Sequence, residues 1–159
     1  MGQAQMGKSF VTLDNKIILA KDLMLQTWYH FLARAINESN QRDAWIDGLR
    51  NELTFLSHGG SGAGIVSLFL DEYVKTAEHL TILISLCEAA LDLITRFGSH
   101  ISVDYLNSIP YHDEWQWPRD ISTEPVECCG RHFIRLLRGE ITTEVGDGGG
   151  YVDCPSIWS

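Results

Sequence analysis

The sequence predicts a mainly α-helical fold, a single-domain bundle of four to five helices around a long central helical segment at residues 65–97. Apolar residues recur three and four positions apart over several long stretches, and clusters of glycine or proline separate those stretches. Apolar residues make up 45% of the 159 residues, which is enough for one hydrophobic core. We therefore treat residues 1–159 as one domain with flexible ends at 1–9 and 146–159, leave open whether residues 151–159 dock on it, and keep an α+β arrangement as the alternative.

The N-terminal third predicts a small β element followed by two helices. Two short apolar runs, at residues 10–13 and 17–19, flank an Asp-Asn pair, which is typical of a short strand or a hairpin. An apolar stripe predicts the first helix over residues 21–36, and a second stripe predicts another helix over residues 41–57. The residues of the two stripes are Leu25, Tyr29, Leu32 and Ile36, and then Trp45, Leu49, Leu53 and Leu56.

The predicted central helix covers residues 65–97 and ends at Gly98, a residue type that favours helix C-termini. The sequence leaves open whether Lys75-Thr76 splits this segment into two helices. Its apolar face consists of Leu80, Leu83, Ile84, Cys87, Leu91 and Ile94.

Three prolines divide the stretch that follows Gly98, which predicts a region without long regular elements. Within and after this stretch we expect only short elements and one further helix. They are a helical turn at residues 101–106, a last helix at 127–138 and a short strand at 141–145.

The charge balance favours basic partners and argues against polyanions. The chain has 12 basic and 21 acidic side chains, a net charge of −9. This field repels nucleic acid and anionic membranes, and it attracts basic proteins.

The N-terminus lacks an apolar signal core, and no run reaches the ~18 uncharged apolar residues of a membrane span. We therefore expect a cytoplasmic protein whose four cysteines, Cys87, Cys128, Cys129 and Cys154, are reduced thiols.

Two glycine-containing segments resemble phosphate-binding loops but are interpreted as connectors. Residues 2–9 fit the pattern G-x-x-x-x-G-K-[ST], whose mechanism requires a preceding strand and a following helix. No strand can precede Gly2, and residues 10–13 are a poor helix start, so this segment is interpreted as a frayed tail. The loop at residues 59–64 could bind an anion at the start of a helix near Ile65, but it lacks the third glycine of the dinucleotide motif.

Histidines and cysteines support a second hypothesis, a small enzyme with an uncharacterised site. Cys128, Cys129 and His132 fall within one helical turn, yet zinc usually requires four ligands with wider cysteine spacing, so we expect no metal and no cofactor. Cys129 with His132 could act as nucleophile and base, and His100 or His112 could act as a general base. This hypothesis requires at least two of these groups in one pocket.

An acidic and aromatic segment at residues 104–127 predicts the functional surface. It contains six carboxylates, a single arginine and four aromatic residues. Long loops in small domains are often functional, and tyrosine and tryptophan are favoured anchors of protein interfaces. The alternative is that both tryptophans cover the core while the acids are merely solvated. The predicted partner-binding residues are Tyr111, Asp113, Glu114, Trp115, Trp117, Asp120 and Glu124.

The leading functional hypothesis is a non-catalytic, inhibitory protein-binding protein. Its acidic, compact profile is similar in general kind to bacterial immunity proteins, and a basic nuclease toxin would suit its charge. The carboxylates of such an inhibitor would occupy the positions where the nuclease binds the phosphates of its substrate. A third hypothesis is a self-associating helical protein with a dimer seam at Trp28 and Phe31; the sequence leaves the oligomeric state open.

Overall fold

The computed structural model describes residues 7–60, 65–111 and 115–159. Helices are the main elements of this part of the chain, and a few short strands accompany them, which fits an α or an α+β fold. The helices are α1 (Asp22–Glu38), α2 (Ala44–Ser57), α3 (Ala77–Thr95), α4 (Val103–Asn107) and α5 (Thr123–Leu137). The strands are β1 (Lys8–Leu13), β2 (Lys16–Lys21), β3 (Leu68–Phe69), β4 (His100–Ile101) and β5 (Ile121–Ser122).

The predicted N-terminal hairpin is present and extends into a three-stranded sheet. Strands β1 and β2 pair antiparallel, and β1 also pairs with β3 in parallel, giving the order β2-β1-β3. Asp14 and Asn15 adopt φ angles of 51° and 63°, the left-handed conformation that a two-residue hairpin turn requires. Lys8 and Ser9, expected in a flexible terminus, belong to β1.

Helix α1 is the centre of the hydrophobic core. It packs against α2, α3 and α5, and Trp28, Phe31 and Leu32 on it have no exposed surface. Gly130 on α5 allows this close approach, because a Cβ there would lie 2.5 Å from Cζ3 of Trp28. Since Trp28 and Phe31 are buried within one chain, the proposed dimer seam at these residues is wrong.

The helix predicted over residues 65–97 is shorter than expected, and α1 rather than this helix is the centre of the core. Its helical part, α3, begins only at Ala77, and the Thr76 hydroxyl caps it by accepting a hydrogen bond from His79 N at 3.1 Å. Residues upstream of Thr76 form β3 and a single 3₁₀ turn at Leu70–Glu72. Their apolar residues are buried at alternate positions, because they line the sheet rather than a helix. These residues are Val66, Leu68 and Leu70.

Other elements differ from the prediction mainly at their ends. Helix α5 begins four residues earlier than the predicted start at 127, because Pro125 lies in its first turn, where a missing N–H breaks no hydrogen bond. The strand predicted at residues 141–145 is reduced to an isolated bridge between Lys16 and Glu144. Within the described residues, no helix has both the length and the apolar character needed to cross a membrane.

The C-terminal tail after Gly150 docks on the rest of the fold. Val152 N donates to Leu19 O at 2.9 Å, and Ser122 N donates to Ile157 O at 2.7 Å. Ile157 is buried, and a disulfide joins Cys154 to Cys128 on α5. The expectation of four reduced cysteines is therefore wrong for this pair, which the fold brings together across 26 residues of sequence. Cys87 and Cys129 are free and buried.

Candidate functional site

An aromatic cluster forms the base of the predicted partner-binding surface. Trp117 is only 3% exposed, and its indole N–H donates to the Tyr111 hydroxyl. Its backbone N–H donates to Asn107 Oδ1 at 2.7 Å. The prediction that Trp117 directly contacts a partner is therefore wrong, because its side chain is buried. Trp117 instead supports Trp115, whose ring centroid lies 4.9 Å away.

Tyr111 and Trp115 are half-buried at the edge of this cluster. Their ring centroids lie 5.7 Å apart in an edge-to-face arrangement, which fixes the orientation of both rings. Burial raises the pKa of Tyr111 to about 12, against the opposing effect of its hydrogen bond with Trp117, so its hydroxyl stays protonated at neutral pH. Both residues can present only part of their rings to a partner.

Three exposed carboxylates flank the short pairing of β4 with β5. This pairing is antiparallel, so the start of α4 lies beside Asp120 at one end of the two-residue ladder, and the start of α5 lies beside Ser99 at the other end. Asp104 lies in the first turn of α4, and Glu124 lies in the first turn of α5, positions where the helix dipole favours negative charge. Asp120 Oδ1 accepts a hydrogen bond from Val103 N at 2.8 Å. The predicted residues Asp113 and Glu114 lie outside the described residues, as does His112.

An open groove of about 580 Å³ is lined by one of these carboxylates, Asp120. The Arg119 guanidinium lies 5.2 Å from the centroid of the Trp158 ring, so the single arginine of the acidic segment is engaged with an aromatic face. Trp158 also contacts Trp117, at a centroid distance of 6.0 Å. We name this groove and the exposed Asp104, Asp120 and Glu124 the acidic surface. The described residues lining the groove are His100, Val103, Pro118, Arg119, Asp120, Trp158 and Ser159.

Sequence reasoning did not identify Trp158 as part of this surface. The glycine-rich run at residues 146–150 indicated a flexible end, and tail docking depends on hydrogen bonds to distant residues. The local signal was a set of apolar residues in the terminus, Tyr151, Val152, Ile157 and Trp158. Scattered apolar residues are weak evidence for docking, because exposed apolar residues are common.

Among the described residues, the groups proposed for an enzyme site, which are Cys129, His132 and His100, do not form one constellation. Cys129 is fully buried, and this burial raises its pKa to about 12, so the thiolate needed for nucleophilic attack is not populated at neutral pH. His100 is exposed, and its Nδ1 is hydrogen-bonded to Ser99 Oγ at 2.9 Å. It lines the groove, whose described lining residues include neither Cys129 nor His132.

The two glycine-containing segments lack the helix that phosphate binding would require. Lys8 and Ser9 belong to β1, so no helix N-terminus follows the G-x-x-x-x-G-K-[ST] pattern, whose residues 2–6 lie outside the described residues. After the loop at 59–64, of which 61–64 lie outside the described residues, Ile65 continues toward β3 rather than into a helix.

A second cluster of chemically active side chains joins α5 to the tail. The ligand atoms of Cys128, His132 and Cys154 all lie within 4.8 Å of one another. Desolvation, followed by the positive charge of Arg135, lowers the pKa of His132 from its ordinary value. These three residues are the group found among the described residues that could hold a metal ion. The sequence placed Cys128, Cys129 and His132 within one helical turn, and it did not predict that Cys154 would be the third member.

No protein-family model, curated protein or solved structure matches the chain. Its function is therefore inferred from its own residues. Two features of the described part of the molecule carry this inference: the acidic surface, and the trio of Cys128, His132 and Cys154.

Proposed function

We propose that this chain is a non-catalytic protein that binds, and thereby inhibits, a basic protein through the acidic surface. In this proposal the chain acts as bacterial immunity proteins do, its partner is a nuclease toxin, and its location is the cytoplasm. The observation that carries the proposal is that exposed Asp104, Asp120 and Glu124 form no ion pair with any described residue.

Many cationic side chains elsewhere on the described surface are already engaged. Six ion pairs occupy five arginines and Lys16, and Arg119 lies over Trp158. The acidic surface therefore keeps its charge for lysine or arginine side chains of another protein, to which carboxylates form charge-assisted hydrogen bonds. The ion pairs are Lys16–Glu144, Arg34–Glu38, Arg50–Asp47, Arg131–Glu127, Arg135–Glu140 and Arg138–Glu88.

The acidic surface is also held in place before any partner binds. Trp117 is fixed by Asn107 and Tyr111, and Asp120 is fixed by the backbone of Val103. Side chains that are already ordered lose little conformational entropy on association, so more of the contact energy contributes to affinity. Ordered carboxylates beside an aromatic groove fit a partner that presents basic side chains around an active-site cleft.

Enzymes that act on nucleic acid concentrate positive charge where phosphates bind. An inhibitor that places carboxylates in those positions gains association rate from long-range attraction and excludes the substrate at the same time. The net charge of −9 adds to this steering. The proposal therefore requires both the local carboxylates and a basic partner.

The test compares two triple variants with the same change in net charge. One variant carries Asp104→Asn, Asp120→Asn and Glu124→Gln in the acidic surface. The control carries Asp43→Asn, Glu72→Gln and Glu78→Gln at exposed positions on other elements. Immobilised wild type and variants are exposed to a native lysate and to purified basic nucleases at low and high salt.

We expect the wild type and the control to retain basic proteins at low salt, and the acidic-surface variant to lose at least about tenfold in affinity. Affinity of the wild type should fall as salt rises, because ionic strength screens exposed charges. Equal retention by the two triple variants would exclude the acidic surface as the binding site.

A further inference from the structure

We propose that Cys128, His132 and Cys154 bind Zn²⁺ when the chain is reduced, at a site separate from the acidic surface. The ligand atoms of the three residues all lie within 4.8 Å of one another. The two sulfurs form a disulfide in the structure, so metal binding and disulfide formation are alternative states of one site.

The ligands come from two elements whose relative position the backbone fixes. Cys128 and His132 are four residues apart on α5, which places them on the same helix face. Cys154 belongs to the docked tail, where Leu19 N donates to Gly150 O at 2.7 Å and Val152 N donates to Leu19 O at 2.9 Å. The tail thus holds the third ligand beside the helix without depending on the sulfur–sulfur bond.

The spacing is compatible with tetrahedral zinc. Zn–S and Zn–N distances of about 2.3 Å and about 2.0 Å place ligand atoms about 3.5–4 Å apart around the ion. The trio already lies within 4.8 Å, so small side-chain rotations are enough once the sulfurs separate. Two thiolates and one imidazole leave the fourth position to water or another exchangeable ligand.

The environment of the trio favours the ligating form of its cysteines. Arg131 and Arg135 lie on the same helix as Cys128 and His132, and positive charges near a cysteine favour its thiolate form. All three ligands are half-buried, so access of water is restricted but an ion can enter.

Reduction must come before metal binding, because only free thiolates coordinate zinc. A dithiol reductant supplies two electrons and two protons to the disulfide, which becomes two thiols while the reductant becomes a disulfide. Zn²⁺ then displaces the two thiol protons and binds both sulfurs. Either state keeps the tail attached to α5, and the tail carries Trp158 to the acidic groove.

The experiment uses Co²⁺ as a spectroscopic probe and Zn²⁺ as its competitor. The full chain is reduced, freed of metal with a chelator and titrated with Co²⁺. We expect one Co²⁺ per chain with sulfur-to-cobalt charge-transfer absorption, displaced by one Zn²⁺. Cys128→Ser and Cys154→Ser should abolish this absorption, and His132→Asn should weaken binding by about tenfold or more.

Matched controls replace cysteine and histidine outside the trio. Cys87→Ala and His100→Asn should retain the wild-type stoichiometry, and the oxidised wild type should bind no Co²⁺ at this site. A reduced wild type that shows no charge-transfer absorption would overturn the proposal, as would equal binding by the Cys128→Ser variant.

A second measurement requires no variant and so does not depend on the folding of one. The reduced chain is alkylated with and without Zn²⁺, and the modified cysteines are mapped by mass spectrometry. Zinc should protect Cys128 and Cys154 from alkylation, and unchanged alkylation of both would overturn the proposal. Because no protein partner takes part, a failure here is distinct from a failure of the acidic surface to bind one.

Discussion

At the scale of single residues, His30 is a largely but not fully buried ionisable group whose neighbours disfavour its charged form. Its Nε2 is hydrogen-bonded to the Tyr105 hydroxyl at 2.7 Å, and its ring contacts Phe31 edge-to-face. Burial is the main cause that lowers the pKa of His30 to about 4, and the charges of Arg34 and His58 add to it. The folded protein therefore contains neutral His30 over most of the acidic range.

We expect His30 to make stability fall as pH decreases from about 6.5 to about 4. The folded pKa lies below the unfolded value of 6.5, so over this range the unfolded chain binds the proton and the folded chain does not. A difference of about 2.5 units corresponds to roughly 3 kcal/mol lost by pH 4, while stability above pH 6.5 is unaffected. Urea unfolding of the wild type and of His30→Gln, measured across this range, checks the difference between them.

The control for this prediction is His100→Gln, which changes an exposed histidine. Its pH dependence should follow that of the wild type, whereas His30→Gln should lose less stability on acidification. Parallel pH profiles for all three proteins would show that His30 does not couple protonation to folding. Asp22 does not produce the same signal, because desolvation raises its pKa and so has the opposite sign.

At the scale of elements, helical periodicity and turn chemistry predicted the hairpin and helices α1, α2 and α5 within a few residues. The same approach was wrong for residues 65–76, because a short apolar run fits a buried strand as well as a helix. Only pairing with β1, more than fifty residues earlier in the chain, distinguishes the two, and such pairing is not visible in local sequence. The start of α3 at Ala77 follows from the cap at Thr76.

The capping hydroxyl of Thr76 should contribute measurably to the stability of α3. Thr76→Ala removes the acceptor for His79 N, and we expect a loss of about 1 kcal/mol. Ser122→Ala is the matched control, since Ser122 occupies the N-cap position of α5 without a side-chain capping hydrogen bond. Thermal unfolding should separate the two variants, and an equal shift in Tm for both would contradict a specific capping role of Thr76.

At the scale of the whole molecule, the acidic surface could be predicted only in part. Charge and composition indicated that residues 104–127 contain the functional surface, and Asp120 and Glu124 in this segment are exposed. The burial of Trp117, the contribution of Trp158 and the approach of Cys154 to α5 all depend on contacts between distant parts of the chain. No periodicity or spacing encodes these contacts, because they arise only when the tail docks beside β2 and β5.

The link between Cys128 and Cys154 should stabilise the whole fold, because it restricts the unfolded chain. It joins residues separated by 26 positions, and closing a loop of that length corresponds to about 3.5 kcal/mol. We expect reduction without metal to lower the free energy of unfolding by about that amount. Zinc added to the reduced chain at about 100 times its Kd should restore about 2.7 kcal/mol, because it binds the folded state.

The Cys128→Ser/Cys154→Ser double variant provides the reference for this last prediction. It can form neither the disulfide nor the zinc site, so neither a reductant nor zinc should change its unfolding midpoint. Wild-type protein should match the variant when reduced and metal-free, and should exceed it when oxidised or zinc-loaded. If reduction alone leaves the wild-type midpoint unchanged, the tail is held by its backbone hydrogen bonds and by Ile157 rather than by Cys154.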